Sequence, residues 1–366
     1  MAILGRTKIE AFPLGLGGIP LIYMTWKEAE EIIETCIDQG VNFADTAEGY
    51  GDSEEKLSMA LRRDREAFSI ATKSTERTAR GMATMIDKSL RRLKTDYIDL
   101  YQIHAIGSSK DLHKVLGPGG ALEAMKAARD AGKIRHIGVT GHQPSVLIEA
   151  IKTGEFDTVM AAINVVDRES EQVLLPLAKE MNIGVLAMKP ICGGTLDTPL
   201  HGIRYCLNSP ADIVLCGMKN LTEVEDNIRT TREFKPLSQQ EEDDLLAAAS
   251  QMGNQFCRRC GYCQPCPEGI NIPRVLWLAN VHARASGGHE EWTEEEYGLM
   301  QETADYCEEC GQCEDICPYE LPTREMLKSA HAELIPTSTT QARRKLRKAL
   351  NKAKNIRKEH LRRPGK

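Results

Sequence analysis

The sequence of 366 residues predicts an α/β protein, a parallel (β/α)8 barrel followed by a small, mostly helical second domain. Two observations lead to this fold class. Apolar, β-rich runs alternate with segments of helical period over residues 1–232, and eight of the twelve cysteines are gathered in two short runs after residue 256. A chain of this length can hold one barrel and one smaller domain.

The barrel prediction depends on eight candidate strands that alternate with helical segments, as in eight βα units that close on themselves. An open doubly wound sheet is the alternative, but such a sheet rarely needs eight strands, and its glycine-rich dinucleotide fingerprint is missing. The predicted strands are residues 12–16, 41–46, 68–73, 98–104, 134–140, 158–164, 183–188 and 213–218. The predicted helices include residues 27–39, 53–63, 79–93, 121–131 and 221–231.

Two cysteine runs follow the barrel region. They read Cys257-Arg-Arg-Cys260-Gly-Tyr-Cys263-Gln-Pro-Cys266-Pro267 and Cys307-Glu-Glu-Cys310-Gly-Gln-Cys313-Glu-Asp-Ile-Cys317-Pro318. The second run has the spacing of bacterial two-cluster ferredoxins, in which three thiolates hold one [4Fe–4S] cube and the fourth cysteine ligates the other cube. In the first run the last cysteine comes one residue earlier. The spacing predicts two clusters, one held by Cys257, Cys260, Cys263 and Cys317, the other by Cys307, Cys310, Cys313 and Cys266.

Zinc and disulfide bonds are the alternative uses of these cysteines. Zinc would close one tetrahedron with two C-x2-C pairs, which fits eight cysteines with two trailing prolines poorly. Disulfide bonds need an oxidising compartment, and residues 1–18 lack the basic start and apolar core of a secretory signal. We therefore expect a cytoplasmic protein with a ferredoxin-like iron–sulfur domain behind the barrel.

Ionisable residues stand where three consecutive predicted strands end. Asp45 and Tyr50 follow the second strand, Lys73 ends the third and His104 ends the fourth. Each alone could be a turn cap, a packed aromatic or a core histidine, but barrel enzymes place their chemistry at this end of the strands. An ammonium beside the tyrosine is expected to lower the pKa of its hydroxyl, and a carboxylate to hold the lysine charged. The histidine would orient a substrate carbonyl oxygen or share the proton.

The stretch that carries the first two of these residues resembles the signature of the aldo/keto reductase family. It reads Gly40-Val-Asn-Phe-Ala-Asp45-Thr46-Ala-Glu-Gly-Tyr50-Gly51-Asp-Ser53-Glu54. Lys73 in Ile-Ala-Thr-Lys73 and His104 in Asp-Leu-Tyr-Gln-Ile-His104 match the family's other catalytic positions in place and order. The resemblance covers residues 1–232 and implies a TIM barrel in which these four residues are the catalytic tetrad and Tyr50 is the acid. The whole chain is similar to the branch that carries a ferredoxin-type domain.

The family's nicotinamide contacts are less complete in this sequence. Where the family has Ser-Asn after strand five, a Gln on strand six and a stacking Tyr after strand seven, the sequence has Thr140-Gly141, Met160 and Met188. Glu223 replaces the basic residue that contacts the adenosine 2′-phosphate, although the Asp226-Asn227 pair is kept. The resemblance thus implies NAD(P)H with degraded contacts, and a flavin is the alternative cofactor.

An anion site is expected at the loops after strands seven and eight, where backbone N–H groups of barrels commonly bind phosphate. The loops read Lys189-Pro-Ile-Cys-Gly193-Gly194-Thr195 and Gly217-Met-Lys219-Asn220. Glycines that only make tight turns explain these loops equally well. The residues expected to contact a cofactor are Thr140, His142, Asn164, Lys189, Gly193, Gly194, Gly217, Lys219 and Asn227.

The net charge of −6 is unevenly distributed, since residues 341–366 hold twelve Lys or Arg against one Glu. We interpret this basic tail as a helix that lies on the protein's own acidic surface, because nothing else in the chain indicates nucleic-acid binding. No apolar run approaches the length of a membrane span. The predicted domains are the barrel at 1–235, the iron–sulfur domain at 236–335 and the tail at 336–366.

These patterns predict an oxidoreductase that interconverts a carbonyl and an alcohol in the barrel and passes electrons through two [4Fe–4S] clusters. Its partners would be a small-molecule substrate and a redox protein. The alternative is an electron-transfer or docking subunit whose barrel has lost nicotinamide-dependent activity or binds another cofactor such as flavin. The four catalytic positions favour the enzyme, and the missing nicotinamide contacts favour the alternative.

Overall fold

The computed structural model describes residues 1–252, 256–284 and 290–335. Contacts divide the chain into two compact units, the first ending at Gln251 and the second beginning at Met252. The predicted tail at 336–366 lies outside the described residues, and the domain boundaries after residues 235 and 335 stay predictions. None of the helices in the described parts is long and apolar enough to cross a membrane.

The first unit contains a short antiparallel hairpin and a closed barrel of eight parallel strands, which confirms the predicted barrel. The hairpin strands are β1 (Ala2–Ile3) and β2 (Glu10–Ala11). The barrel strands β3 to β10 are Leu14–Gly17, Phe43–Asp45, Ser69–Ser74, Ile98–Ile106, Ile134–Gly141, Thr158–Ala162, Gly184–Met188 and Ile213–Cys216. Each strand pairs with its neighbours in chain order, and β10 closes the barrel by pairing with both β9 and β3.

Helices surround the barrel and begin and end close to the predicted positions. Helices α1 to α11 are Trp26–Asp38, Ser53–Arg63, Ala79–Leu93, Ser109–Leu116, Ala121–Asp130, Pro144–Lys152, Glu169–Gln172, Leu174–Glu180, Pro199–Leu207, Leu221–Arg232 and Gln239–Met252. The five predicted helices agree with α1, α2, α3, α5 and α10 to within one residue at each end. Side-chain caps explain such sharp starts: Thr25 accepts from the Glu28 N–H while the Glu28 carboxylate accepts from the Thr25 N–H.

The barrel has two apolar layers because successive side chains of a strand point to opposite faces. Outward side chains such as Ile70 and Ile103 pack with the helices in one large core. Inward side chains such as Phe43 and Leu100 form a second core together with Leu4, which lies beside the hairpin. Side chains therefore fill the interior of the barrel. Residues that take part in any reaction must lie at the ends of the strands.

The hairpin lies against the end of the barrel where the strands begin. The Arg6 N–H donates to the Asn182 carbonyl at 2.8 Å, just before β9 starts at Gly184. Gly5 adopts a φ of 47°, and a Cβ there would lie 2.2 Å from the Gly184 nitrogen, so only glycine fits at this approach. The hairpin thus covers the amino ends of the strands and leaves the carboxyl ends for the site.

The described part of the second unit is mostly helical, as predicted. Its helices α12 to α15 are Ile272–Arg284, Glu290–Gly298, Gln312–Asp315 and Thr323–Leu334. Apolar side chains such as Val275, Leu278 and Leu327 form its core. Tyr297 anchors this core, since its hydroxyl lies 2.6 Å from His331 Nδ1 and accepts the Ala304 N–H at 2.8 Å. The first cysteine run precedes α12, and the second lies between α13 and α15 and includes α14.

A buried lysine ties α2 to the loop that follows β3. The Lys56 side chain is 1% exposed, and its Nζ donates to the carbonyls of Leu21 at 2.7 Å and Met24 at 2.8 Å. Asp52 balances its charge at 3.0 Å. An ammonium with three acceptors is a tolerable buried charge, because its hydrogen-bonding capacity is filled.

Replacing Lys56 by Met should lower the free energy of unfolding by about 1–3 kcal/mol, because two backbone carbonyls lose their donor. Urea denaturation followed by circular dichroism measures this change. Lys27→Met is the matched control, since the Lys27 side chain is 85% exposed, and it should change stability by less than about 0.5 kcal/mol. Equal stability of the two variants would contradict a structural role for Lys56.

Candidate active site and cluster site

The four predicted catalytic residues stand at the carboxyl ends of three neighbouring strands. Asp45 ends β4, Lys73 lies near the end of β5 and His104 near the end of β6, while Tyr50 belongs to the loop between β4 and α2. Because β4, β5 and β6 run parallel and pair directly, these ends lie at one rim of the barrel. The structure thus brings together the four residues that were predicted from the sequence to form one site.

A buried ion pair forms the base of this site. Lys73 Nζ pairs with Asp45 Oδ1 and also donates to the Thr46 carbonyl at 2.8 Å. Lys73 is 2% exposed and Asp45 is 6% exposed. Gln102 Nε2 donates to the second carboxylate oxygen of Asp45 at 3.1 Å. Sequence reasoning missed Gln102, although its place two residues before His104 on the same face of β6 could have indicated it.

Tyr50 and His104 complete the site above this ion pair. Lys73 Nζ lies 5.1 Å from the centroid of the Tyr50 ring. The His104 ring meets the Tyr50 ring edge-on, with centroids 5.9 Å apart and planes at 81°. The Tyr50 ring thus has an ammonium and an imidazole as neighbours, a set of groups that can give a proton to an oxygen and take it back.

The surrounding protein shifts the pKa values of Tyr50, Lys73 and His104. Burial raises the pKa of Tyr50, even though the residue as a whole is partly exposed; Lys73 opposes this shift without overcoming it. The ammonium thus acts in the expected direction, but desolvation of the phenolate is the larger effect, so the pKa of Tyr50 is raised overall. Burial acts to lower the pKa of Lys73, but Asp45 and Tyr50 outweigh it and raise that pKa. Burial and the charges of Lys73 and Arg77 hold the pKa of His104 well below its ordinary value, so the imidazole is neutral at pH 7.

A local irregularity in β6 directs the His104 side chain. The pairing of β6 with β7 shifts register after Ile103, and Ala105 adopts a φ of 56°. Arg77 Nη2 donates to the carbonyls of His104 at 2.8 Å and Ala105 at 3.0 Å, while the Ala105 N–H donates to Thr140 Oγ1 at 2.9 Å. Such bulges re-aim a side chain at the end of a strand. Thr140, predicted to contact a cofactor, thus braces the loop that carries His104.

The loop that carries Tyr50 is held by charged side chains of α3. Lys88 pairs with the Glu48 carboxylate, and Arg92 Nη1 donates to the Glu48 carbonyl at 2.9 Å. The same guanidinium approaches Glu54 of α2 at 3.4 Å, and Thr72 donates to the other oxygen of Glu54 at 2.8 Å. These contacts connect the loop, α2 and β5, and so fix Tyr50 relative to its neighbours.

His142 and Lys189, also predicted to face the mouth, lie near His104. Burial and the charge of Lys189 hold the pKa of His142 well below its ordinary value, with His104 contributing in the same direction. Lys189 adopts a φ of 60° directly after β9. Asn164 is fully buried, and its Nδ2 donates to the Lys189 carbonyl at 3.2 Å while its Oδ1 accepts the Asp167 N–H at 2.9 Å. The Asn164 amide is therefore engaged within the protein.

The glycine loop after β9 is a tight turn whose amides have partners inside the protein. The N–H groups of Gly194 and Thr195 donate to the Ile191 carbonyl at 2.9 and 3.2 Å. The Cys192 N–H donates to the Lys189 carbonyl at 3.0 Å, and φ is 73° at Gly193. This geometry favours the turn interpretation of the glycines over a preformed phosphate site.

The loop after β10 already holds a carboxylate at the start of α10. The Lys219 N–H donates to Glu223 Oε2 at 2.8 Å, and Asn220 caps the helix by accepting the Glu223 N–H at 2.9 Å. Gly217 precedes this turn. Asn227 is buried, with Nδ2 3.5 Å from Cys216 Sγ. Glu223 thus sits where a helix start would otherwise offer N–H groups to an external anion.

In the second unit a pocket joins cysteines of both runs. Its lining contains two cysteines of the first run, Cys263 and Cys266, together with the first three of the second run, Cys307, Cys310 and Cys313. Four of these five form one of the two predicted ligand sets, whereas Cys263 belongs to the other. Burial, with the nearby Cys257 and Cys260, raises the pKa of the Cys263 thiol to about 12. Cysteines of both runs thus line one pocket, and thiols are the donors that a [4Fe–4S] cube requires.

The other four cysteines belong to the barrel unit and are buried, as expected of packed thiols. They are Cys36, Cys192, Cys206 and Cys216. Burial raises the pKa of Cys36 and of Cys216 to about 12, so neither is a thiolate at pH 7.

Family models match both parts of the chain. Residues 13–201 match the aldo/keto reductase family, and residues 256–322 match a 4Fe-4S dicluster domain. The first match includes all four residues at the barrel mouth, and the second includes all eight cysteines of the two runs.

Individual relatives and solved structures agree with these matches. The chain is 32% identical over 207 residues to the uncharacterized oxidoreductase YqkF of Bacillus subtilis, which covers 53% of this chain and 65% of that relative. The aldo-keto reductase AKR11C1 from Bacillus halodurans superposes with a TM-score of 0.59 at 24% identity, covering 67% of this chain and 94% of that one. An aldo-keto reductase from Klebsiella pneumoniae in complex with NADPH gives a TM-score of 0.58 at 22% identity, covering 67% and 93%.

The chain thus spans slightly less than two thirds of the length of its Bacillus subtilis relative. At 24% and 22% identity, the two solved structures show a similar fold and nothing further. The family match is the stronger finding, because it takes in more than half of the residues. The chain belongs to the aldo/keto reductase family, in a form that carries a 4Fe-4S dicluster domain behind the barrel.

Proposed function

We propose that the protein is an oxidoreductase that interconverts a carbonyl and an alcohol in its barrel and carries electrons through two [4Fe–4S] clusters. The observation that carries the first half is the buried Lys73 ammonium, which pairs with the Asp45 carboxylate and lies 5.1 Å from the centroid of the Tyr50 ring. Tyr50 is the acid, since burial keeps its hydroxyl protonated. Lys73 stabilises the phenolate that forms when the proton leaves, and Asp45 keeps Lys73 charged and in place.

The neutral His104 imidazole orients the substrate oxygen. A neutral ring has one N–H donor and one acceptor nitrogen, so it can donate to a carbonyl oxygen while adding no charge to the site. The edge-on contact with Tyr50 directs both groups to one side of the mouth. The substrate oxygen would therefore lie within reach of the Tyr50 hydroxyl and the His104 ring at once.

A nicotinamide cofactor would supply the hydride of this reaction. The barrel fold fits such a cofactor, and the Klebsiella pneumoniae protein of similar fold was solved with NADPH. The contacts predicted to hold it are poorly suited to an anion in this chain, because the glycine-loop amides are engaged internally and Glu223 occupies the start of α10. A flavin phosphate at the glycine loop meets the same difficulty.

The second half of the proposal rests on the cysteines. Cys266 lines one pocket with Cys307, Cys310 and Cys313, which supports the crossover in which the last cysteine of each run ligates the cluster of the other run; Cys263 of the first run lines the same pocket. By the same reasoning Cys317 completes the set of Cys257, Cys260 and Cys263. A small-molecule carbonyl or alcohol and a redox protein remain the proposed partners.

A second candidate function is that of an electron-transfer or docking subunit that has lost nicotinamide-dependent activity. The observation that favours it is the Glu223 carboxylate, which accepts the Lys219 N–H where the family resemblance places a phosphate contact. The two candidates differ in whether Tyr50 is needed for any reaction and in whether a nicotinamide cofactor binds.

Tyr50→Phe should reduce the rate of carbonyl reduction by about 10²–10⁴-fold, because it removes the positioned proton donor. Steady-state assays with a panel of aldehydes and ketones give the rate, and circular dichroism and iron content verify the fold. Tyr101→Phe is the matched control: its hydroxyl lies 3.5 Å from Ser89 Oγ, away from the four mouth residues, so full activity is expected. Wild-type activity in Tyr50→Phe would show that the mouth residues no longer act as a catalytic set.

Cys317→Ala should damage the cluster held mainly by the first run, and Cys266→Ala the cluster held mainly by the second. The wild type should contain about eight irons per chain when purified without oxygen, as two cubes require. Electron paramagnetic resonance of the reduced variants identifies the affected cluster, and Cys36→Ala in the barrel should leave both signals unchanged. A Cys317→Ala variant that alters only the second-run signal would exclude the crossover.

Reduced nicotinamide cofactor alone should not bleach the visible absorption of the clusters in oxidised, flavin-free protein. A nicotinamide gives up two electrons as a hydride, whereas each cube accepts one, so a bound flavin, a substrate that accepts single electrons or a redox partner must complete the path. Anaerobic spectroscopy makes the comparison, with dithionite as the positive control. Prompt bleaching without flavin would refute this view and establish a barrel that feeds its own clusters directly.

A further inference from the structure

The two cysteine runs share one backbone turn. The residue before the second cysteine has a φ of 55° at Arg259 and 56° at Glu309, and the glycine after that cysteine has a φ of 82° at Gly261 and 79° at Gly311. The two Cys-x-x-Cys-Gly segments are therefore conformational equivalents. Within these two segments the runs therefore differ in their side chains and share the path of the chain.

The side chains on these matched turns carry opposite charges. The first run has Arg258 and Arg259 where the second has Glu308 and Glu309. Residues 256–266 hold these two arginines and no acidic residue, whereas residues 307–317 hold four acidic residues and no basic one. The contrast is confined to the positions nearest the cysteines.

The two arginines are held close to the first turn. Arg258 is 6% exposed, and its Nη1 donates to the Phe256 carbonyl at 2.7 Å while its guanidinium lies 4.8 Å from the centroid of the Tyr319 ring. The Arg259 guanidinium lies 5.2 Å from the centroid of a Trp277 ring. The Arg259 N–H also donates to Cys257 Sγ at 3.4 Å. These contacts hold in place two cationic side chains that stand between Cys257 and Cys260 in the first run.

Cations near the second run offset only part of its negative charge. Lys328 pairs with Glu309 at 2.7 Å, and Arg324 pairs with Glu314 at 2.6 Å. Four acidic residues against these two cations leave two negative charges, compared with two positive charges at the first run.

We propose that this charge difference gives the cluster held mainly by the first run a higher reduction potential than the cluster held mainly by the second. Reduction adds one electron, and thus one negative charge, to a cube, so nearby cations favour the reduced form and nearby anions oppose it. An N–H donor to a cluster sulfur acts in the same direction as the cations. The inference depends on the proposed presence of both clusters, and it assigns the first electron to the first-run cluster.

The test is a redox titration of the intact protein with dithionite and ferricyanide, followed by electron paramagnetic resonance, with iron content measured for each sample. Two midpoint potentials are expected in the wild type. Arg259→Gln should lower the higher one and leave the other unchanged, and Arg259→Lys, which keeps the charge, should restore it. Glu309→Gln should raise the lower midpoint alone. Lys27→Gln, on α1 of the barrel, should shift neither.

The outcomes separate this inference from the proposed function. Wild-type protein with iron for fewer than two cubes would overturn both. Two intact cubes whose midpoints coincide, or an Arg259→Gln variant that lowers the lower midpoint, would overturn the charge assignment alone. Should Arg259→Gln lose iron, Glu309→Gln still decides the matter, because it changes one exposed side chain, and an unmoved lower midpoint there contradicts the inference.

Discussion

The barrel site depends on one interaction, the buried pair of Lys73 and Asp45. Lys73 is 2% exposed, and an ammonium so buried would lose its proton or draw in water if it had no partner. A buried carboxylate without a partner would take up a proton or draw in water. Together, and with Gln102 and the Thr46 carbonyl filling the remaining hydrogen bonds, they are stable as charges. Only then does Tyr50 have a cation against which its proton can leave.

The surrounding ionic contacts serve to keep that geometry. Arg77 holds the carbonyls that flank the bulge at His104, and Arg92 with Lys88 holds the loop of Tyr50 through Glu48. Both clamps come from residues between β5 and β6, so one βα unit positions the end of β6 and the loop of Tyr50. Loops that carry chemistry need such support because their own backbone offers few internal contacts.

Most of the fold could be predicted from the sequence because it repeats one pattern eight times, and an apolar strand before an amphipathic helix is a strong local signal. The proposed catalytic positions could be selected from their place at strand ends. The β6 bulge, Gln102 and the raised pKa of Tyr50 could not be predicted, since each depends on neighbours that only folding brings together. The glycine loop was ambiguous for the same reason: its amides find partners within the turn.

Glu223 has a consequence for any anion that approaches the barrel rim. Its carboxylate is tethered four residues from the N–H that it accepts, so its effective concentration there is on the order of millimolar or higher. A phosphate would have to displace the Glu223 carboxylate from this N–H group. The displaced carboxylate would then still repel the phosphate through its charge. Binding of an anion at the rim therefore carries an additional free-energy cost. This cost favours ligands that reach the mouth with an uncharged portion first.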